Sequence, residues 1–407
     1  MTDATGSNPT GFDHRVGPRA DSAGTLLRLI RTGKATTRNE LGTTAGLARS
    51  TVAQRVELLM AAGLIREIGD APSGGGRRPA ILGFNPEAGV VLVADLGATH
   101  SRVAVCGLDG TPLAQHSEDL AISLGPDTVL RWVLERFDDL LTTVGRPVRD
   151  VRGVTIGLPG PVDSTRGEAV NPPIMPGWNR VPVRPLFAQR YNAPVVVDND
   201  VNLMAIGEHT ALADPPDDFL FVKVGTGIGS GLIMSGHLHR GSRGAAGDLG
   251  HAQVGPMDVL CSCGNYGCLE ATAGGGALAR ALSELGHPAE DARDVVALVQ
   301  QGNREAISAV REAGRLIGSV LATTVNLLNP RMIAIGGDVS MADEHLLAGV
   351  REIVYTRATS LGTTELTIAI GSLGEDAGVR GGAVMVLDQA FSPINVDAAL
   401  EGTSAFG

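Results

Sequence analysis

The chain has 407 residues, 43% of them hydrophobic and only 3% aromatic, and carries a net charge of −11. That length exceeds one ordinary core and predicts two or three globular domains, built mainly from Ala, Val, Leu and Ile. No apolar run reaches the length of a membrane span, and Met1 to Ala20 lacks the apolar stretch of a signal peptide, so a cytoplasmic protein with no membrane partner is expected. Three of the four cysteines cluster, a pattern closer to a metal site than to disulfides.

The charge is unevenly spread. Residues 15–79 hold 11 basic against 5 acidic residues, whereas residues 80–407 carry a net −15. A basic head on an acidic body is the pattern of a nucleic-acid reader joined to a body that avoids phosphate, although an imbalance of this size can also arise by chance.

Residues 1–20 are expected to be a disordered tail. Residues 21–84 then read as a compact helical head. A first helix spans roughly Ser22 to Thr32, with Leu26, Leu27, Leu29 and Ile30 as its apolar stripe and Gly33 at its end. A second helix follows Thr36 or Thr37, either of which can cap it, and runs to Thr44. Gly46 makes a tight turn, and a third helix runs from about Arg49 to Ala62, with Val52, Val56 and Leu59 on one face. Leu64 to Ile68 and Ala80 to Phe84 read as strands around a Gly-rich loop.

Helix, glycine turn, helix and β-wing form a DNA-docking unit, in which the N-terminal residues of the last helix face base edges. Here those are Arg49, Ser50, Thr51, Gln54 and Arg55. Arginine can pair with guanine and glutamine with adenine. Arg38 is placed for phosphate, and Arg77 and Arg78 of the wing can enter a narrow minor groove. The plain alternative is an ordinary three-helix surface domain. Position 48 departs from a good cap, being Ala where Ser would serve.

From about residue 85 the texture changes to buried strand runs alternating with helices, such as Val90–Ala94, Val195–Val197 and Phe219–Val224. This predicts an α/β domain over 85–390. Two glycine-rich, phosphate-type loops, after Ala94 and after Val224, suggest a duplicated lobe. Arg304 to Leu328 is a long helix closed by Asn329-Pro330, and residues 391–407 are expected to be a loose tail.

His251, Cys261, Cys263 and Cys268 give a His-x9-Cys-x-Cys-x4-Cys spacing. Four such ligands with no open position make a closed tetrahedral structural zinc site, one per chain. Three buried cysteines beside a core histidine are the alternative. Cys106 sits in an apolar strand and reads as core.

Taken together, these pieces resemble the ROK family of repressors, open reading frames and sugar kinases, specifically its repressor branch, over residues 20–390. The resemblance rests on Asp95-Leu96-Gly97-Ala98-Thr99, Gly157 to Asp163, Pro176-Gly177-Trp178, Asp198-Asn199-Asp200-Val201-Asn202, Gly225-Thr226-Gly227-Ile228-Gly229, Gly247 to His251, Cys268-Leu269-Glu270 and Ile335-Gly336-Gly337. It implies a winged helix-turn-helix (α+β) followed by a two-lobed α/β, actin-like and sugar-kinase-like (ribonuclease-H-like) domain. It further implies a homodimer or homotetramer that binds double-stranded operator DNA and is controlled by a sugar or sugar-phosphate effector, with repression relieved by ligand.

In that cleft Asn199, Asp200, Asp248 and Glu270 can exchange hydrogen bonds with sugar hydroxyls, and His251 can join the metal to a hydroxyl. In a kinase Asp200 would be the base. Asp95, Gly97, Thr99, Gly225, Thr226, Gly227, Gly336 and Gly337 would form the nucleotide loops for ATP and Mg2+. Ala98, His100, Ile174 and Asp248 depart from the kinase pattern. An ATP-dependent sugar kinase, or a regulator of the same family answering to a non-sugar or protein effector, are the alternatives.

Overall fold

A computed structural model describes residues 22–70, 78–254 and 258–402. They fall into two compact units, residues up to 88 with 388 onward, and residues 89–387.

The first unit begins with α1 (Ala23–Arg31), α2 (Arg38–Ala45) and α3 (Arg49–Ala61). Local chemistry sets their ends. Ser22 caps α1 by accepting from the Thr25 amide at 3.0 Å. Thr37 rather than Thr36 caps α2, in a reciprocal pair with Glu40 that satisfies two otherwise orphaned amides. The Thr36 and Thr37 amides, both donating to the Glu40 carboxylate, hold it below its ordinary range. Gly46 takes a φ of +68° between α2 and α3, a left-handed turn that a Cβ would resist. Ala48 offers α3 no side-chain cap. Leu26, Leu27, Leu41, Val52, Val56 and Leu59 are all buried, which fixes the three helices around one small core. The hairpin β1 (Ile65–Asp70) and β2 (Ala80–Phe84) is antiparallel with a bulge between Glu67 and Gly69. The Leu82 amide donates to Thr36 at 2.7 Å, tying the wing to the helices.

The second unit holds two sheets of identical strand order. In the first, β3 (Val90–Leu96), β4 (Ser101–Gly107) and β5 (Pro112–Glu118) form an antiparallel meander. After α4 (Pro126–Thr143), β6 (Val151–Leu158) joins beside β3 in parallel. The small hairpin β7 (Val162–Asp163) and β8 (Glu168–Ala169), then α5 (Val183–Tyr191), lead to β9 (Val195–Asn199), parallel to β6. The order is β5-β4-β3-β6-β9. Phe137, Phe187 and Trp178 are fully buried in this lobe. The Trp178 indole donates to the Ile122 carbonyl at 3.1 Å, which accounts for the Pro-Gly-Trp segment as a packing feature.

The pattern then repeats. After α6 (Asp200–Ala211) come β10 (Phe219–Val224), β11 (Ile228–Met234) and β12 (His237–Leu238). Next are α7 (Leu269–Ala273), α8 (Gly275–Glu284), α9 (Ala292–Gln300) and the long α10 (Arg304–Leu328). They are followed by β13 (Met332–Gly336), α11 (Glu344–Arg357), α12 (Ser360–Thr363) and β14 (Thr367–Ile370). The second sheet runs β12-β11-β10-β13-β14, with β10, β13 and β14 parallel. Two equivalent sheets make the two actin-like lobes expected from the sequence, and both glycine-rich loops lie at corresponding first hairpin turns.

Helix α13 (Ala377–Ala390) closes this unit with a glycine-rich face. A Cβ on Gly381 would overlap the Leu203 carbonyl, and one on Gly207 would overlap the Ala377 carbonyl. The absence of side chains is therefore what lets α6 and α13 cross at backbone contact.

The C-terminal segment corrects the sequence reading. Residues 391–402 belong to the first unit and are not a loose tail: Pro393–Leu400 form α14, capped by Ser392, with Val396 fully buried. Asp397 accepts from the Gly24 amide of α1 at 2.9 Å, and Phe391 meets Phe84 edge-on at 5.2 Å between centroids. Arg31 pairs with Asp388 and lies 5.8 Å over the Phe391 ring. Residues 1–20, expected as a tail, lie outside the described residues.

A Cβ on Gly24 would overlap the Pro393 backbone. Gly24→Ala is therefore expected to destabilise the head by about 1–3 kcal/mol through overpacking. Chemical denaturation followed by circular dichroism measures it, and an unchanged midpoint would rule out the α1–α14 packing.

Candidate functional site

On the head, Arg49, Ser50 and Gln54 are exposed on α3, while Thr51 and Arg55 are half-buried on the same helix. Arg49 and Ser50 occupy its first turn, where free amides and the positive end of the helix dipole also face outward. Arg38, expected to be free for phosphate, donates to Glu67 of β1 at 3.2 Å, an exposed pair of small energy that a phosphate could replace. Arg78 is exposed at the base of the wing, whereas Arg77 lies outside the described residues.

The Cys/His spacing folds into one cluster. The ligand atoms of His251, Cys261, Cys263 and Cys268 all lie within 4.8 Å of one another. His251 sits on a short 3-10 turn (Leu249–His251), Cys261 and Cys263 in the loop that follows, and Cys268 immediately before α7. Gly264 and Gly267 have φ of +89° and +71°, which bends the loop back on itself.

Two distances test the fit to an ion. Cys263 Sγ is 3.7 Å from Cys268 Sγ, and Cys261 Sγ is 3.6 Å from His251 Nδ1. A tetrahedron with metal–sulfur bonds of ~2.3 Å and a metal–nitrogen bond of ~2.05 Å has edges of about 3.8 and 3.6 Å. The four residues can therefore hold a metal, with Nδ1 inward. The other nitrogen, Nε2, lies 3.9 Å from Asp248 Oδ1, so one imidazole joins the cluster to the carboxylate side of the cleft.

Glu270, on the first turn of α7, reaches from this cluster to the second glycine loop. Its Oε1 is 3.6 Å from Cys261 Sγ and accepts from Ser262 at 3.3 Å, and its Oε2 faces the Ile228 amide at 3.4 Å. Asp248, Glu270 and His251 thus gather at one end of the cleft.

At the start of α6 the Asp198-Asn199-Asp200 strip is a network. Buried Asp198 accepts from Asn202 at 2.8 Å and from the Arg240 guanidinium at 2.7 Å. Asn199, expected as a sugar contact, is engaged within the protein. Its oxygen caps α6 through the Val201 amide at 3.0 Å, and its amide donates to the Gly160 and Leu158 carbonyls at 3.0 and 3.4 Å. It shapes the cleft wall instead of offering a free donor. Asp200 is buried, with Oδ1 on the Val201 amide and Oδ2 paired to Lys223 Nζ at 2.6 Å.

The nucleotide-type loops are tight turns. The Gly97 amide donates to His100 at 2.8 Å, and Gly225 to Gly227 at 3.0 Å. Thr99 and Thr226 are exposed at their tips. Carbonyls of the second loop accept from the α8 amides of Gly275 and Gly276 at 2.8 and 3.0 Å. Gly336 ends β13 and Gly337 follows it, where a Cβ would crowd the Val224 backbone at 2.7 Å. Among the departures, the Ala98 carbonyl accepts from Ile122, His100 pairs with Asp119 at 3.0 Å, and Ile174 is exposed. Lys223 and Arg240 do not figure in the sequence reading, and Asp198 enters it only within the motif at residues 198–202. Their partners lie 23 and 42 positions away, and no local pattern signals them.

Cys263→Ser is expected to lower the metal content below one ion per chain and to cost several kcal/mol of stability, because metal binding is linked to folding. Elemental analysis with a melting curve checks it. A metal-free parent of unchanged stability would refute the cluster.

Residues 91–389 match the model of the ROK family. The chain is 28% identical to the xylose repressor of Caldicellulosiruptor bescii over 381 residues, 90% of this chain and 95% of that protein. It is 31% identical to the glucokinase of Thermotoga maritima, over 74% of this chain and 98% of that protein. In fold it is similar to a ROK family transcriptional regulator, a homologue of the Escherichia coli MLC protein, with a TM-score of 0.77 at 24% identity, covering 95% of this chain and 99% of that one. Two equivalent lobes, a His/Cys cluster at the cleft and a match over residues 91–389 lead to one conclusion: the chain belongs to the ROK family.

Proposed function

We propose that this protein is a sequence-specific DNA-binding transcriptional repressor of carbohydrate-metabolism genes, controlled by a sugar or sugar derivative in the cleft of its two-lobed unit. The observation that carries this reading is the head itself. The family match begins at residue 91, and before it stands a capped helix–glycine turn–helix with Arg49, Ser50 and Gln54 exposed on the last helix. The likeness to a glucokinase leaves about a quarter of the chain unmatched, whereas the likeness to a xylose repressor extends over 90% of it.

In this reading α3 enters the major groove, with Arg49, Ser50, Thr51, Gln54 and Arg55 toward base edges and Arg38, Arg77 and Arg78 toward the backbone and minor groove. A homodimer or homotetramer presents two heads to half-sites about one or two helical turns apart. The cluster holds a structural Zn2+, since four protein ligands leave no position for a reacting water. Asp200, Asp248, Glu270 and the free nitrogen of His251 supply the sugar contacts. A sugar that favours one closure of the lobes shifts the DNA-binding equilibrium and releases the operator. No helix among the described residues is long and apolar enough to cross a membrane, and we assign the protein to the cytoplasm, where operator DNA lies.

Arg49→Ala is expected to weaken operator binding by about 1–3 kcal/mol and to relax preference at one base pair. Mobility shift with systematically varied operator fragments measures both, and parental affinity in the variant would remove α3 from the groove. For the effector, a sugar at 100 times its Kd should stabilise the chain by about 2.7 kcal/mol. A thermal-shift panel of pentoses, hexoses, amino sugars and their phosphates reads this. Silence across the panel, with DNA binding intact, would sink the sugar-sensor half of the proposal.

A further inference from the structure

Lys223 lies on β10, two residues before the second glycine loop, and its side chain enters the cleft from the second lobe. Its Nζ is 2.6 Å from Oδ2 of Asp200, which stands at the start of α6 beside the first lobe. Asp95, near the end of β3, and Asp338, beyond β13, are the other carboxylates whose charge acts on the same ammonium. Desolvation opposes the Lys223 charge, but Asp200, Asp95 and Asp338 outweigh it and hold its proton more tightly than usual. Desolvation also pushes the Asp95 carboxyl up to about 6, with Lys223 pulling it down and Asp200 pushing it up. Asp95 has little freedom to swing away, because Gly378 of α13 packs directly on its carboxylate and a Cβ there would overlap it.

Carboxylates converging beside two glycine-rich loops need a cation. Phosphoryl transfer supplies Mg2+, which bridges phosphate oxygens, while one carboxylate oxygen stays free to take the proton of the attacking hydroxyl. Mg2+ demands oxygen ligands at ~2.0–2.1 Å in near-octahedral order and usually keeps several waters. Here the Lys223 ammonium sits against Oδ2 of Asp200, the oxygen that the Val201 amide leaves free. A divalent ion would have to displace Lys223 against its pairing with Asp200.

We propose that Lys223 is a built-in counter-ion that replaces a divalent cation between Asp95 and Asp200, and so determines that this cleft excludes Mg2+–nucleotide while leaving its sugar side open. The inference deepens the sensor reading and rests on it only for the occupant of the sugar side. The test uses neither sugar nor DNA for its main readout, so the two can fail separately.

The test takes the full chain, with its cluster loaded, in Mg2+-free buffer without strong chelator. The parent should show no change in melting temperature with millimolar Mg2+ or with Mg2+–ATP, beyond that given by NaCl at equal ionic strength. It should also bind no Mn2+ that Asp200→Asn abolishes. Lys223→Thr should melt lower than the parent, recover part of that loss with Mg2+ or Mn2+, and bind one additional Mn2+ per chain by electron paramagnetic resonance. Lys223→Arg should keep the parental indifference to divalent ions. The double variant Lys223→Thr, Asp200→Asn should lose the gained ion. A folded Lys223→Thr without any divalent response would overturn the proposal. So would an Asp200-dependent Mn2+ site in the parent, or sugar-dependent ADP release by the parent that Asp200→Asn removes. Should Lys223→Thr fail to fold, the Mn2+ titration of the parent decides alone: no Asp200-dependent ion supports the inference and one such ion overturns it.

Discussion

The cleft depends on one close crossing, where α6 and α13 meet through glycine. Gly207 on one helix and Gly381 on the other leave the backbones in contact, with Leu203 and Ala377 carbonyls where side chains would otherwise stand. Interiors packed at crystal-like density transmit such a constraint to everything attached to it. Asp200 opens α6, and Asp95 of β3 is pressed by Gly378, so the crossing brings carboxylates of a helix start and a strand toward one point. Bringing like charges together under partial burial is unfavourable unless a cation joins them, and Lys223 reaches them from the opposite sheet. Fold and electrostatics are therefore parts of one arrangement.

The His/Cys cluster works on the other side of the same cleft. Four ligands from a loop with little regular structure would hold no fixed geometry unaided, since such segments lose much conformational entropy on ordering. A metal ion held by the cluster would offset that loss and orient His251 at the same time. Because Glu270 follows Cys268 by two residues and runs back to the second glycine loop, the cluster also sets where that carboxylate lies. A binding surface assembled this way is rigid, which suits selective recognition of hydroxyls at fixed spacing.

The head follows a different logic. Its core is small, and a domain of that size gains little net stability from burial alone. Helix α14 adds buried surface through Val396 and Phe391, and Asp397 supplies an acceptor to the first turn of α1. The unit that carries the reading helix is thus completed by residues from the far end of the chain. Its basic face and the acidic remainder divide the labour between attraction to phosphate and avoidance of it.

Local and short-range features were legible in the sequence. The Thr37–Glu40 capping box, the Gly46 turn, the apolar faces of α1 and α3, the two glycine loops after strands and the Cys/His spacing all arise from residues a few positions apart, where backbone geometry alone relates them. Family resemblance added the lobes and the cleft. What only the tertiary structure decided involves partners far apart in the chain. Helix α14 was read as a tail because eight residues that open with a proline and spread their apolar positions around the helix carry no strong periodicity until α1 provides a surface to bury them. Asn199 suits a ligand contact by its type, and only the fold shows that a helix cap and the loop after β6 also engage it. Lys223 was unremarkable within a strand, since its meaning comes from Asp200 at the start of α6 and Asp95 on the other sheet. Sequence spacing specifies which atoms can meet within a turn or a loop, whereas pairings across lobes and chain ends exist only once packing has brought the elements together.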